Sequence, residues 1–333
     1  MIKFGVIGCG NVAPTYLYSL TKNKHAQVMA VVDVDTTITK KIADTYGIRK
    51  IYQDYKEMLP NEDLDAVVIC TPHFVHYEQV LYCAERKLAI LCEKPLSVNM
   101  VEIEEMIEKC WDIHFSVMLQ RRFYPNSIAT AQAVQMGVLG EIKEASLKFT
   151  CHKTPEFYDS WRGKKISGGG VLISQALHRI DQLSYFFGEA LAVEGIVKKT
   201  RDEIEVEDYA KGRIYFPNGV VADIEADNFS GNPETISIIE IVGSRGRVCL
   251  SDDKTIAWSV DKIPKPAEVD INMIPTSHRP AYYGPCHERL IDDFVDSLVY
   301  HRPLTVTGKD ALPSMKIIFG FYESARKGKK IFL

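Results

Sequence analysis

The first 33 residues constrain this chain more than any other stretch. Lys3-Phe4-Gly5-Val6-Ile7 is a short apolar run. It meets Gly8-Cys9-Gly10-Asn11-Val12-Ala13, and a helical stretch follows through Leu20. A second apolar run, Ala26 to Val32, ends on Asp33. The order is strand, glycine turn, helix, strand, acid. Gly8 permits the tight turn, and Gly10, with Asn11 and Val12, lets the backbone approach a pyrophosphate seated on the helix N-terminus. Ala13 is small enough to replace a third glycine and lets helix and strand pack closely. Asp33 is placed to accept hydrogen bonds from both hydroxyls of an adenosine ribose. The pattern predicts a dinucleotide site.

Asp33 also bears on which dinucleotide. A carboxylate at the strand end repels a 2'-phosphate, Asp35 adds negative charge, and no Arg or Lys follows until Lys40. NAD is expected in preference to NADP.

A chain of 333 residues suggests two domains. Hydrophobic content of 46%, charged content of 25% and a net charge of −4 are ordinary for a globular protein and call for neither nucleic acid nor an anionic membrane. The chain enters its first strand almost at once, so no signal peptide is expected, and no apolar run is long enough to span a bilayer. The eight cysteines are scattered, and none shows zinc-ligand spacing. Reduced, buried thiols in a cytoplasmic protein without a metal are expected.

The first third alternates strand and helix. Thr36 to Tyr46 reads as a helix stopped by Gly47. Asp65 to Thr71, Leu88 to Cys92 and Phe115 to Leu119 read as strands, and Tyr77 to Arg86 and Met100 to Cys110 as helices. This rhythm predicts a doubly wound parallel sheet of Rossmann type over 1–120. Beyond it, over 121–333, the pattern is α+β with a large, mostly antiparallel sheet. A helix spans about Ser127 to Met136, and Ile142 to Cys151 is a long strand. Gly168-Gly169-Gly170 opens an apolar helix to Phe187. Strands follow at Ala192 to Thr200, Tyr209 to Phe216, Val220 to Asn228, Ile236 to Val242, Arg247 to Ser251 and Thr255 to Ser259. Pro217-Asn218-Gly219 and Gly243-Ser244-Arg245-Gly246 are expected turns between them. Lys262 to Pro285 is expected as a long loop, and Cys286 to Tyr300 and Lys309 to Arg326 as helices. The first of these, with the glycine-led helix, is expected to cover one sheet face only. Apolar alternation in Tyr209 to Phe216 and Ile236 to Val242 would then be exposed in a monomer, which points to a homodimer or homotetramer packed sheet to sheet.

In a doubly wound sheet the strand C-termini face the ligand crevice. Two such ends carry chemistry: Thr71-Pro72-His73 with His76, and Glu93-Lys94-Pro95. A partly buried ammonium beside a cofactor suits acid/base work on a hydroxyl or carbonyl. On spacing alone Lys94 stands equally as a solvated loop lysine. The glycine-led helix places Ser174, His178 and Asp181 at i, i+4 and i+7, a polar stripe on an otherwise apolar helix. It reads as half of a site, or as a core histidine held by Asp181. Trp161-Arg162-Gly163 offers a sugar-stacking ring and an anion-binding fork, or an ordinary core Trp with a surface Arg. Lys153, Arg162, Lys164, Lys165 and Arg122 could add positive charge for a phosphate or carboxylate, although loop cations are more often simply solvated.

These segments together resemble the Gfo/Idh/MocA oxidoreductase family along essentially the whole length. The resemblance rests on Gly8 to Ala13, Thr71-Pro72-His73 with His76, Glu93-Lys94-Pro95, Trp161-Arg162-Gly163, and Gly168-Gly169-Gly170 leading to His178 and Asp181. It implies that Lys94 is the catalytic acid/base beside the nicotinamide and that His178 contacts the reacting hydroxyl. Where the family has Asp or Asn four residues before that His, this chain has Ser174. Its Thr-Pro-Asn reads Thr71-Pro72-His73 here. The Trp-Arg-Gly element and Ser174-Gln175-Ala176-Leu177-His178 look most like sugar and nucleotide-sugar 3-dehydrogenases. The resemblance therefore implies a CH-OH dehydrogenase acting on a sugar, nucleotide sugar or cyclitol. An inositol-type dehydrogenase and a non-catalytic dinucleotide-binding regulator remain as alternatives.

Overall fold

The computed structural model describes residues 1–229, 235–270 and 283–333. The elements run β1 (Ile2–Ile7), α1 (Ala13–Lys22), β2 (Ala26–Val32), α2 (Thr36–Tyr46), β3 (Lys50–Tyr52), α3 (Tyr55–Asn61), β4 (Ala66–Ile69), α4 (His76–Ala84), β5 (Ala89–Cys92), α5 (Met100–Lys109) and β6 (Phe115–Val117). They continue with α6 (Pro125–Gln135), β7 (Ile142–Thr150), α7 (Pro155–Tyr158), α8 (Leu177–Phe187), β8 (Ala192–Lys198), β9 (Tyr209–Tyr215), β10 (Val221–Asp227), β11 (Ile236–Gly243), β12 (Arg247–Ser251), β13 (Lys254–Ser259), α9 (Pro285–Tyr300), α10 (Leu312–Lys327) and β14 (Ile331–Phe332).

Contacts divide the chain into two units, 1–120 with 270–310, and 121–269 with 311–333. The first unit holds a six-stranded sheet in the order β3-β2-β1-β4-β5-β6, and its strand pairs are parallel. β4 and β5 are buried at every position, as helices on both faces require. Asp35 caps α2 by accepting from the backbone N–H of Thr37 and Ile38, and Gly47 at φ 68° ends it, so that helix has the bounds its sequence suggests. β3 and α3 were not expected. β3 is three residues long and α3 seven, too short for a periodic pattern.

A single cut near residue 120 would assign the helix starting at Cys286 to the second sheet. Instead α9 packs on α1 and β1 of the first unit, burying Leu290, Ile291, Phe294 and Val295. The Phe294 ring lies 6.3 Å from that of Phe4. Amphipathic periodicity shows that a helix has a buried face, not which sheet that face meets. Part of the expected loop, 271–282, lies outside the described residues.

The second unit holds an eight-stranded sheet in the order β13-β12-β11-β7-β10-β9-β8-β14, antiparallel except for β7 beside β10. α10 packs on β8 and on α8. Phe321 lies where side chains at Gly195 and Gly212 would stand, so those glycines admit the helix. The outer face is mixed, with apolar residues and ion pairs side by side. In β9 the apolar residues Ala210 and Ile214 turn inward. Outward stand Lys211 and Arg213, paired across the ladder with Glu225 at 3.5 Å and Asp223 at 3.0 Å. Apolar residues stand outward too: Ile236, Ile238 and Val242 half-buried in β11, Tyr209 and Tyr215 half-buried in β9, and Ile196 exposed in β8. Alternation locates two faces without saying which is covered.

All eight cysteines are buried, and among the described residues none is joined in a disulfide. No helix of the described residues is long and apolar enough to cross a membrane.

Candidate active site

In the first unit the glycine turn has the geometry its residues demand. Gly8 has φ 98°, and a Cβ there would stand 2.9 Å from the backbone of Cys70 and Thr71. A Cβ on Gly10 would meet nothing within 4 Å, so the space above the turn is open. α1 begins after Val12 without a side-chain cap and without an acid in its first turn, which leaves its N-terminal dipole available to an anion. Asp33 closes the site from β2. One carboxylate oxygen accepts from the Cys9 backbone N–H at 2.7 Å and the other from that of Asp35 at 3.0 Å. The acid is thus aimed before any ligand arrives. Asn11 lies exposed on the same turn. An open glycine turn, an uncapped helix end and an oriented strand-end acid fit a dinucleotide.

The turns after β4 and β5 are cross-braced. Thr71 donates its hydroxyl to the Gln79 side chain at 2.6 Å. Pro72 leads into a short 3-10 turn at His73–Val75, and the His73 ring lies 6.1 Å from that of His76. His76, counted among the cofactor-binding residues from its sequence position, is 0% exposed. Its ring nitrogens lie 2.9 Å from the carbonyl oxygens of Pro95 and Thr71. This corrects the expectation: the first turn of α4 points His76 inward, beneath the crevice. Glu93 is also buried. Its carboxylate accepts from Tyr16 on α1 at 2.9 Å, from Tyr283 at 3.3 Å and from the Lys94 backbone N–H at 3.1 Å. Burial pushes the Glu93 carboxyl above its usual range, while neighbouring Lys94 and the two phenols act the other way. Lys94 itself is partly exposed. The sequence drew attention to neither Tyr16, which reads as core on a buried helix face, nor Tyr283, which falls in the expected loop. Tyr283 is separated from Glu93 by 190 positions.

The second unit carries the remaining candidates. Val171–Ala176 is π-helical and passes into α8 at Leu177. Ser174 therefore sits on a wider turn than His178, and the simple i, i+4 face does not hold between them. The Ser174 hydroxyl donates back to the Gly170 carbonyl at 2.6 Å, and Gln175, partly buried, lies 3.5 Å from it. His178 is the second residue of α8 and is partly buried. Asp181 is held by Arg122, with Nε and Nη2 at 3.0 and 2.8 Å from its two oxygens, and both side chains are nearly buried. The sequence did not suggest that the Arg122 fork would turn to Asp181.

The three glycines have separate reasons. Gly168 is left-handed at φ 68°. A Cβ on Gly169 would stand 1.4 Å from the Arg162 carbonyl oxygen, and one on Gly170 2.0 Å from the Glu207 carboxylate. Glu207 accepts from the Leu172 backbone N–H at 3.1 Å and from the Tyr322 hydroxyl at 2.9 Å, capping the helix that carries His178. Burial raises its carboxyl to about 7. The sequence contained no signal for Glu207. The close approach that the glycine run implied is thus to the chain's own Arg162 and Glu207. Trp161-Arg162-Gly163 forms a 3-10 turn, and the Arg162 guanidinium lies 4.5 Å from the Trp161 ring and 5.2 Å from that of Phe157. Lys164 pairs with Glu205 at 3.0 Å, Lys153 stands 4.9 Å over Phe157, and Lys165 is exposed.

Comparison with known proteins fits this picture. The structure resembles that of the WlbA dehydrogenase from Bordetella pertussis, solved with NADH and UDP-GlcNAcA, at a TM-score of 0.90 and 23% identity over 100% of this chain and 97% of that one. It also resembles levoglucosan dehydrogenase, solved with NADH and levoglucosan, at 0.84 and 21% over 99% of each chain. At these identities the likeness is one of fold. Among curated relatives, the uncharacterized oxidoreductase YrbE of Bacillus subtilis is 24% identical over 99% of this chain and 96% of its own length. Myo-inositol 2-dehydrogenase of Thermotoga maritima is 30% identical over 56% of this chain and 55% of its own. The model of the family's NAD-binding Rossmann fold matches residues 2–119, and that of its C-terminal alpha/beta domain matches 131–333. With both halves matched in order, the chain belongs to the Gfo/Idh/MocA family of oxidoreductases.

Proposed function

We propose that this protein is an NAD-dependent dehydrogenase that moves a hydride between a secondary alcohol of a sugar, nucleotide sugar or cyclitol and the nicotinamide, with Lys94 as acid/base. The observation that carries the reading is the Glu93-Lys94-Pro95 turn. A partly exposed lysine stands at the C-terminal end of β5, its preceding acid buried and bonded to two phenols. That is where a doubly wound sheet presents groups to a ligand.

The dinucleotide, when bound, accepts or gives the hydride. The protein's part is binding, orientation and proton transfer. The Gly8–Val12 turn receives the pyrophosphate and Asp33 the ribose hydroxyls. Thr71, Pro72 and His73 line the crevice end beside them. Lys94 Nζ takes the hydroxyl proton in the oxidative direction and returns it in the reductive one. His178 is assigned to the substrate hydroxyl by its match to the family motif. Ser174, Gln175, Trp161 and Arg162 are assigned to the rest of the substrate, and the stacked Arg162 fork suits an anionic group. With Asp33 in place, NAD is favoured over NADP.

Turnover of sugars, inositols and UDP-sugars with NAD, followed by cofactor absorbance in both directions, tests the reading. Lys94→Ala should lower kcat about a hundredfold or more while NAD binding survives. Wild-type turnover in that variant would reduce Lys94 to a loop residue. Tight NAD binding without turnover of any compound in either direction would favour a regulator.

A further inference from the structure

His76 is the first residue of α4 and is 0% exposed. Its ring lies between two carbonyls at the crevice end of the sheet. Nδ1 is 2.9 Å from the Pro95 oxygen and Nε2 is 2.9 Å from the Thr71 oxygen. These residues follow β4 and β5, adjacent parallel strands in which Ile69 stands opposite Cys92. The ring therefore ties together the two turns that the functional reading uses.

The two contacts are not equivalent. Burial holds the His76 pKa below its usual value and so favours the neutral ring. A neutral imidazole has one N–H, so only one of the two carbonyls receives a proton. The Pro95 contact is fully buried, whereas the Thr71 contact is only part-buried. Thr71 is a half-buried residue and Pro95 a buried one, and an unpaired carbonyl costs most where burial is deepest. The proton belongs on Nδ1, facing Pro95. On the other side of Lys94, Glu93 is held by Tyr16 and Tyr283. Lys94, itself partly exposed, stands between two anchored neighbours.

We propose that His76 is a positioning residue, whose Nδ1–H bond to the Pro95 carbonyl holds the backbone that aims Lys94. The proposal rests on the reading of Lys94 as acid/base, and the following series keeps the two separable.

An Asn side-chain amide places its N–H near where His Nδ1 stands, and a Gln amide near where Nε2 stands. His76→Asn can thus keep the Pro95 bond, His76→Gln can donate only towards Thr71, and His76→Leu can donate to neither. With the best substrate from the panel, His76→Asn should stay within about threefold of wild-type kcat, while His76→Gln and His76→Leu fall about tenfold or more at little-changed KM. NAD affinity, read by fluorescence, should be the same throughout. Acetylation of Lys94 by acetic anhydride in the cofactor-free protein, read by mass spectrometry, should match wild type in the Asn variant and differ by about threefold or more in the other two. Equal behaviour of Asn and Gln variants would overturn the proposal. So would normal kcat and labelling in the Leu variant while Lys94→Ala is impaired. Full turnover in Lys94→Ala would instead sink the acid/base reading, and the labelling would still judge His76. If the substitutions prevent folding, nitrogen NMR of histidine-labelled protein decides, with the His76 ring told from buried His287 by the signals lost in His287→Gln: an Nδ1–H tautomer for His76 is expected, and an Nε2–H tautomer would refute the assignment.

Discussion

Glu207→Gln should remove the loss of stability that Glu207 is expected to contribute to the wild-type protein between about pH 5 and pH 8. The Glu207 carboxyl rises from 4.5 to about 7 through burial, only partly offset by the hydrogen bonds from Leu172 and Tyr322. The folded protein therefore holds a proton that the unfolded chain has lost. Stability from this group is fully present below about pH 4.5 and is lost as pH rises through about 7. A rise of that size corresponds to about 3 kcal/mol at pH 8. Glutamine keeps the oxygen that accepts from Leu172 and Tyr322 and carries no charge at any pH. The variant should match wild type near pH 5 and melt about 5 °C or more above it at pH 8. Glu207→Ala should behave differently: it leaves the Leu172 N–H and the Tyr322 hydroxyl without this acceptor and should lose about 1–3 kcal/mol even at pH 5. Melting curves for the three proteins across that range provide the test. If wild type and Glu207→Gln run parallel from pH 5 to pH 8, the buried carboxyl is not the source of the dependence and the reasoning fails.

Asp33 should make NAD bind at least about tenfold better than NADP, and Asp33→Ala should narrow that ratio when both are titrated. Asp181→Asn should cost about 3–5 kcal/mol in urea unfolding, because it leaves the buried Arg122 charge without its carboxylate. Gly170→Ala should destabilise by about 1–3 kcal/mol, since its methyl would meet the Glu207 carboxylate, and an unchanged urea midpoint would contradict that packing. Arg162→Ala should raise KM about tenfold for an acidic or phosphorylated sugar and hardly at all for a neutral cyclitol. Good turnover of a cyclitol alone would move the assignment to an inositol-type enzyme and leave the roles of Lys94 and His178 untouched.

What the sequence determined was local. The turn at Gly8 to Ala13, the acid ending β2, the cap and stop of α2 and the alternation of strand and helix follow from backbone sterics and periodicity, which neighbouring residues decide among themselves. The parallel sheet followed from that alternation, and the antiparallel sheet from strands in series with short turns. Lys94 stood out because a strand end, an acid and a proline frame it within three positions. What tertiary structure decided was partnership. That α9 packs on α1, that Asp181 meets Arg122, that Glu93 rests on Tyr16 and Tyr283 and that Glu207 fills the space Gly170 leaves are all long-range pairings. Several residues compete for such places, and burial energy alone does not choose among them. His76 shows the limit most plainly. Its position beside Thr71-Pro72 pointed to a ligand. The turn into α4 sends it inward, where two carbonyls that the chain brings together from β4 and β5 receive it.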